Sequence, residues 1–577
     1  MTEAAEIAWC IASQSGTIVE NLCKEMKLPP LICRVLVNRG FRDEESCKKY
    51  LSPSSHHLEE PCAFRHMDQA VERIFKAIDH DENILIQGDY DVDGSASSAL
   101  LVLMFRLFKV EAEVSIPSRA EDGYGLNERI IRKAAVDGVK LLITCDNGTT
   151  ACDEVKLANE LGIDTIITDH HTVGPALPEA LAVINPHIKE DEVAFRDLCG
   201  AGVAFKLAWA CLNRASKGQI LDKPFKDFLA SAQSLVALAS VADVVPLTGE
   251  NRVLTRQGLI HMPNSPNPGI RALMELSGID KVPTGKDVGF KLAPRLNAGG
   301  RMGRESLAVE LLTARSFGEA MDLAHEMDSL NRDRQTLDRE LTKQAVAQVE
   351  ADPTYEQDRV LVVENDNFHA GVVGIVAARL CRKFNKPSVL IAMQGDVGRG
   401  SGRSIPGFHL YNALNECNDL MARFGGHAQA AGLEITRENV GQLRAAVNKI
   451  ADKHIIKADY DTKTLDIDTR VELEDLDLPS VKLLSRLEPF GEGNRPPLFA
   501  TEDVTIVANP RVVGRGTGHL SLIVKQGSTS FKAIGFSMGA RVDEFKRGDT
   551  VRLAFVPIIS EFKGYPEVEI EIKDIRL

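Results

Sequence analysis

Asn83-Ile-Leu-Ile-Gln-Gly-Asp-Tyr-Asp-Val-Asp-Gly94 runs from an apolar strand pattern, Ile84 to Ile86, into three carboxylates on alternate residues. A helical pattern follows through Ala99, Leu100, Leu103, Met104 and Leu107. Asp89, Asp91 and Asp93 would repel one another at a strand end, so the stretch implies a counter-charge, most simply divalent cations. Gly94 allows a tight turn, and Ser95 is the expected cap of the helix. The competing reading is a solvated acidic turn.

Outward from this stretch, between about 65 and 245, short apolar strands alternate with helical segments. The strands are Ile84–Ile86, Ala112–Ile116, Leu141–Thr144, Thr165–Thr168 and Ala182–Ile184, and the helices between them include Asn127 to Ala135 and Ala151 to Leu161. Such alternation predicts a parallel sheet with helices on both faces and ligands at the strand C-termini. Unusual residues stand at those ends: Asp146-Asn-Gly148 after Ile143, and Asp169-His-His171 after Ile167. Asp243 interrupts the apolar run Leu235 to Pro246, either as a metal ligand or as a cap of a helix turn. Carboxylates with imidazole suit Mn²⁺ or Mg²⁺, the histidine favouring Mn²⁺. Two such ions about 3.5–4 Å apart are the usual apparatus of phosphoester hydrolysis.

The chain has 577 residues, 44% hydrophobic and 26% charged, so several domains of an ordinary soluble kind are expected. No apolar run reaches the roughly 20 residues of a membrane span, and Met1 to Glu6 lacks a basic start, so a cytoplasmic protein without membrane partners is expected. Eleven cysteines are scattered singly with no Cys-x-x-Cys pair, so neither a zinc ribbon nor a disulfide framework is indicated. A net charge of −14 argues against a broadly basic nucleic-acid coat, and any polyanion must meet a local positive groove.

Asp89 to Gly94, Asp146 to Gly148, Asp169 to His171 and Val241-Ala-Asp-Val-Val245 resemble, in order, the four motifs of the DHH phosphoesterase superfamily. Ile116-Pro-Ser-Arg-Ala-Glu-Asp-Gly-Tyr-Gly-Leu126, Leu198-Cys-Gly-Ala-Gly202, Ala293-Pro-Arg-Leu-Asn-Ala298 and Gly300-Arg-Met-Gly303 are similar to its RecJ branch of single-strand-specific DNA exonucleases. The resemblance implies metal-dependent hydrolysis of single-stranded DNA from 5′ to 3′ into 5′-mononucleotides, in recombination and repair. It implies that Asp91, Asp93, Asp146, His170 and Asp243 hold two ions, Asp146 bridging, with Asp89 as an additional or orienting group. His171 would contact the scissile phosphate, and Arg119, Arg301 and Arg403 would grip neighbouring phosphates. Small-substrate members carry a metal-binding histidine where this chain has Gln87, which leaves the first metal's ligand set open.

Apolar residues from Ala320 to Val349 keep helical spacing up to Asp352-Pro353, reading as a rod between two lobes or as two helices broken near Asn331-Arg332. Beyond it, Phe368 to Gly374, Gly398 to Pro406 and Phe424 to Gly432 are glycine-rich turns carrying Ser, Arg and His. Such turns suit phosphate oxygens but also serve plain chain reversal. These segments resemble the DHH-associated domain, which implies substrate contacts from Ser401, Arg403, Gly426 and His427. Short β patterns at 504–506, 520–524, 531–536, 551–555 and 568–572 suggest a small barrel. Pro489 to Asn494 resembles the entry to the OB-type domain of the RecJ branch. Phe531, Phe536, Phe562 and Tyr565, with Lys532 and Lys563, are candidates for stacking a single strand, some of them necessarily core.

The expected organisation is α/β: an N-terminal helical segment 1–50, a DHH-type parallel-sheet lobe 51–315, a long helix 316–352, a DHH-associated α/β lobe 353–456 and an OB-like barrel 457–577. Single-strand-binding protein and a RecQ-type helicase are the protein partners that the resemblance suggests. Competing functions are a superfamily enzyme for small substrates, against which the third domain argues, and a non-catalytic replication scaffold, against which the complete set of acids and histidines argues.

Overall fold

The computed structural model describes residues 7–13, 16–118, 125–217, 222–454, 464–514, 518–561 and 564–577. The chain divides into two compact units, one of Glu59–Tyr460 and the other of Met1–Leu58 with Asp461–Leu577.

In the first unit, β1 (Asn83–Gln87), β2 (Glu113–Ser115), β3 (Val139–Cys145), β4 (Asp164–Thr168) and β5 (Ala182–Ile184) form a sheet in the order β2-β1-β3-β4-β5. Every pair is parallel, in keeping with the burial of Leu141–Cys145 in β3 and of Thr165–Thr168 in β4. In this order the chain leaves β1 in opposite directions, so the crevice of the sheet opens above the C-terminal ends of β1 and β3. Register aligns those ends: Gln87 lies beside Thr144, Cys145 beside Thr168 and Thr168 beside Ile184. Asp89, Asp146 and Asp169 follow just beyond this common line.

Helix α1 (Val92–Leu107) is buried along most of its length, against α2 (Gly200–Ser216) and α3 (Lys223–Ala242). Its cap is Asp91, whose carboxylate accepts from the Gly94 amide at 3.0 Å; Ser95, the expected cap, lies inside the helix and is buried. The apolar run from Leu235 belongs to α3, so Asp243 arrives from a helix C-terminus and not from a strand end.

Helix α4 (Ala293–Arg301) precedes α5 (Phe317–Ala351), one unbroken helix of 35 residues, on the order of 50 Å long. The expected alternative, a break near Asn331, does not occur: Asn331 is buried within the helix. Ser316 caps it by accepting from the Glu319 amide, and it ends at Asp352, which Pro353 forces to extended backbone.

Helix α5 leads into a second sheet, β6 (Leu361–Asn365), β7 (Ser388–Gln394), β8 (Val397–Arg403), β9 (Arg423–Gly426) and β10 (Ala430–Thr436), in the order β9-β10-β8-β7-β6. Only β6 and β7 pair in parallel. Helix α6 (Val373–Phe384) packs on this sheet and on α5.

The second unit holds a closed barrel in which strands 499–506, 550–560, 567–576, 529–535 and 519–526 pair in succession. The last returns to the first through Thr505 beside Lys525 and Ile506 beside Val524. Where a helical segment 1–50 is expected, short helices Gly16–Met26, Pro30–Asn38 and Glu44–Leu51 form, preceded by a strand. Residues Ala8–Ile11 are a strand that pairs in parallel with Thr464–Ile467, and Leu22, Ile32, Val35 and Leu36 share one core with Leu473, Phe499 and Phe555. Helices this short cannot bury their apolar faces alone, and the barrel side supplies the missing surface. Among the described residues no helix is long and apolar enough to cross a membrane, and all eleven cysteines are free.

Candidate active site

The carboxylates meet at the crevice. Asp89, Asp91 and Asp146 place one oxygen each within 4.8 Å of one another, and so do the ligand atoms of Asp93, His170 and Asp243, and of Asp146, His170 and His171. His170 Nε2 lies 3.0 Å from Asp146 Oδ1, 3.6 Å from Asp93 Oδ2 and 3.7 Å from Asp243 Oδ2. All six acids and histidines expected to surround two ions, with Asp89 among them, therefore stand in one cluster, joined by His171.

Two residues that deliver these groups have left-handed backbone, Asp146 (φ 62°) and, after Asp243, Val244 (φ 61°). Aspartate tolerates this conformation, whereas a β-branched valine is strained by it, a strain of the kind found at functional sites. Asp93 has a more specific support. Its two oxygens accept from the amides of Gly200 and Ala201, both at 2.7 Å, so the first turn of α2 seats this carboxylate. A Cβ on Gly200 would stand 2.7 Å from the Cβ of Asp146, and one on Gly94 would meet Asp89 at 2.4 Å. The Leu198 to Gly202 motif, which carried no role from the sequence, thus packs the ligand cluster.

Electrostatics separate the histidines. Burial, and then the neighbouring His171, push His170 down to about 4, so it is a neutral imidazole near pH 7. His171 behaves oppositely: burial opposes its charge, but the hydrogen bond from Nδ1 to Asp169 Oδ1 at 2.8 Å holds it up at about 9. Burial would also raise Asp169, yet the bonds from His171 and from the Thr149 amide hold it below the usual carboxylate range. Asn185 donates to Thr149 Oγ1 and to the His171 carbonyl, both at 2.9 Å. Asp169, Thr149 and Asn185 were not among the expected site residues; only the position of Asp169 beside the two histidines hinted at a role.

Burial and mutual repulsion raise Asp93 to about 7, Asp243 to about 8 and Asp146 well above the usual range. Crowded oxygen donors that resist ionisation, around a neutral imidazole whose buried Nε2 makes no hydrogen bond among the described residues, fit divalent cations. The Gln87 side-chain nitrogen donates to the Gly88 carbonyl at 2.9 Å and to that of Gly125 at 3.3 Å, while its buried Oε1 makes no hydrogen bond among the described residues.

The second lobe faces this cluster. His427, in the turn between β9 and β10, holds its ring 6.4 Å from that of His171, centroid to centroid. Gly426 (φ 139°) makes that turn possible, since a Cβ there would meet the Ala430 carbonyl oxygen at 2.3 Å. Ser401 and Arg403 share β8, Arg403 Nη1 donating to Ser401 Oγ at 3.1 Å, and both border Gly374. Arg301 reaches across from α4 and donates to the Gly371 carbonyl at 3.1 Å. Arg119 lies outside the described residues, as do Phe562 and Lys563. On the barrel, Phe536 and Tyr565 are exposed, Phe531 packs against the core, and Lys532 pairs with Glu569.

Buried oxygen donors around one neutral imidazole, with a charged imidazole beside them at the switch point of a parallel sheet, are the equipment of a metal-dependent phosphoesterase of the DHH type. Family models agree: the DHH family N-terminal domain matches residues 83–233, the DHHA1 domain 357–453 and the RecJ OB domain 467–574. The chain is 34% identical to the single-stranded-DNA-specific exonuclease RecJ of Bacillus subtilis, over 99% of this chain and 71% of that protein. With the RecJ of Salmonella typhimurium it shares 34% identity over 95% of this chain and 96% of that one. The crystal structure of RecJ from Thermus thermophilus in complex with Mn²⁺ superposes with a TM-score of 0.83 at 28% identity, covering 99% of this chain and 80% of that one. The chain belongs to the RecJ family of exonucleases.

Proposed function

We propose that this chain hydrolyses single-stranded DNA from its 5′ end, releasing 5′-mononucleotides, with two Mn²⁺ or Mg²⁺ ions. One observation carries the reading: the clustered acids, neutral His170 and charged His171 of the first lobe face His427 and the glycine-rich turns of the second. Asp91, Asp93, Asp146, His170 and Asp243 would hold the ions, with Asp146 between them and Asp89 beside. Such ions supply a nucleophilic water near neutral pH and neutralise charge that develops on the phosphate.

The chain's own groups do the rest. Asp93 is fixed by the two α2 amides and Asp91 by its cap bond to Gly94, so neither must reorganise during turnover. His171, oriented by Asp169, presents its other ring nitrogen and a positive charge to a non-bridging oxygen of the scissile phosphate. Arg301, Arg403, Ser401, Gly426 and His427 grip the terminal phosphate, and Arg119 extends that grip. Phe536 and Tyr565 of the barrel stack bases of single-stranded DNA. Divisions at 50, 315, 352 and 456 separate the working parts. We further assign the protein to the cytoplasm and to recombination and repair, with single-strand-binding protein and a RecQ-type helicase as partners.

The test is Mn²⁺-dependent digestion of single-stranded DNA labelled separately at each end, with Asp146→Ala as control. Early mononucleotide release from the 5′ label, lost in the variant, is the expected result. Intact DNA beside rapid turnover of a dinucleotide would favour a small-substrate enzyme instead.

A further inference from the structure

Between the DHH-type sheet and α4 the chain makes one π-helical turn, Val288–Leu292, in which the Ala293 amide bonds the Val288 carbonyl five residues back. Its cause is local: Pro294 has no amide to give the Phe290 carbonyl, so the helix widens before it enters α4. Single turns of this kind gather at functional sites. The turn leaves Phe290 79% exposed, an unusual position for a large aromatic in a folded chain.

The π-turn that carries Phe290 packs against α3, the helix whose C-cap is Asp243. A Cβ on the preceding Gly289 would lie 3.9 Å from Val241 Cγ1, two residues before Asp243 on the same helix. Val244, just after Asp243 and strained at φ 61°, is itself 62% exposed. Lys286 and Lys291 flank the aromatic, both exposed, Lys291 also pairing with Asp287 at 2.7 Å. At its other end the same continuous helix delivers Arg301 to the second lobe. An exposed aromatic between two lysines suits a nucleobase with its phosphates, because every base offers a π face and every link a negative charge.

We propose that Phe290 is a stacking platform that holds one base of the single strand beside the helix that ends at Asp243. It positions the strand and touches no reacting atom. This inference rests on the single-strand exonuclease reading given above.

The test uses the full chain with Mn²⁺ and a 5′-phosphorylated 20-mer, intact or with one abasic position moved stepwise along it. Phe290→Ala should raise KM about 5- to 100-fold, as loss of one stacked base does, with kcat little changed. Phe290→Trp should restore it. With the unaltered chain one abasic position near the 5′ end should raise KM similarly, and in Phe290→Ala that same position should cost nothing further. An unchanged KM in Phe290→Ala, or an abasic profile the same in both proteins, overturns the platform while leaving the nuclease reading intact. Failure of the unaltered chain to digest the intact 20-mer overturns both.

Discussion

The rings of His171 and His427, one from each lobe of the same unit, are inclined by only 9° with centroids 6.4 Å apart. That gap is too wide for ring contact and leaves room for a phosphate oxygen. His427→Ala should therefore lower kcat/KM on single-stranded DNA about 10- to 100-fold, the value of one charge-assisted hydrogen bond. The His171→Ala, His427→Ala double variant should lose less than the product of the two single losses. Full multiplicativity would mean that the two rings act on different groups.

Asp169→Asn keeps the shape of the anchor but removes its charge. His171 stays protonated up to about 9 because Asp169 faces it, so the variant's His171 should deprotonate at lower pH. Activity should fall more at pH 8.5 than at pH 6.5, with a loss of about tenfold or more at the higher value. A pH–rate profile of unchanged shape would argue that the charge of His171 is not used.

Gly200→Ala would drive a methyl to 2.7 Å from Asp146 Cβ. We expect Mn²⁺ affinity to drop at least tenfold with the helices retained, read by calorimetry beside circular dichroism. Gly318→Ala serves as control: its Cβ would meet nothing within 4 Å, and in the first turn of α5 it should stabilise by up to about 1 kcal/mol.

Without metal, Asp93 and Asp243 have folded-state values of about 7 and 8, above the ordinary 3.8. A carboxyl raised on folding contributes stability that is complete below its ordinary value and lost as pH rises through the folded one. Chelated protein should accordingly lose thermal stability between about pH 4 and pH 8, and Mn²⁺ should restore most at the alkaline end. Parallel melting curves with EDTA and with Mn²⁺ across that range check this; equal slopes would remove the cations from the argument.

Asp338, 1% exposed in the middle of α5, pairs with Arg379 of α6 and stands 4.0 Å from Arg334 Nη1. Asp338→Ala strands two guanidinium groups around a hole. It should destabilise by about 3 kcal/mol, discounted because Arg379 is partly exposed, in urea titration of the full chain. A change below about 1 kcal/mol would show that water replaces the carboxylate.

Local pattern was enough for much of this molecule. Alternating apolar strands and helices pointed to the parallel sheet because each element is specified by its own periodicity. Asp89, Asp91, Asp93, Asp146 and His170 were legible because strand ends in such a sheet share one edge whatever the side chains are. The helix α5 was legible in its spacing, although only the structure excluded a break at Asn331, which is held by burial rather than by propensity.

What needed the tertiary structure was everything set by partners distant in sequence. The cap of α1 fell to Asp91 instead of Ser95, since a single carboxylate both caps and faces the cluster. Asp243 came from a helix, because an apolar run of that length satisfies either period. Ala8–Ile11 formed a strand only through Thr464–Ile467, more than 450 positions away. By itself the sequence determined which elements form and which residue types they carry to the crevice, for those depend on neighbours along the chain. The seating of Asp93 on α2, the opposite charge states of His170 and His171, and the approach of His427 were decided by the fold, because burial and Coulomb interaction act through space.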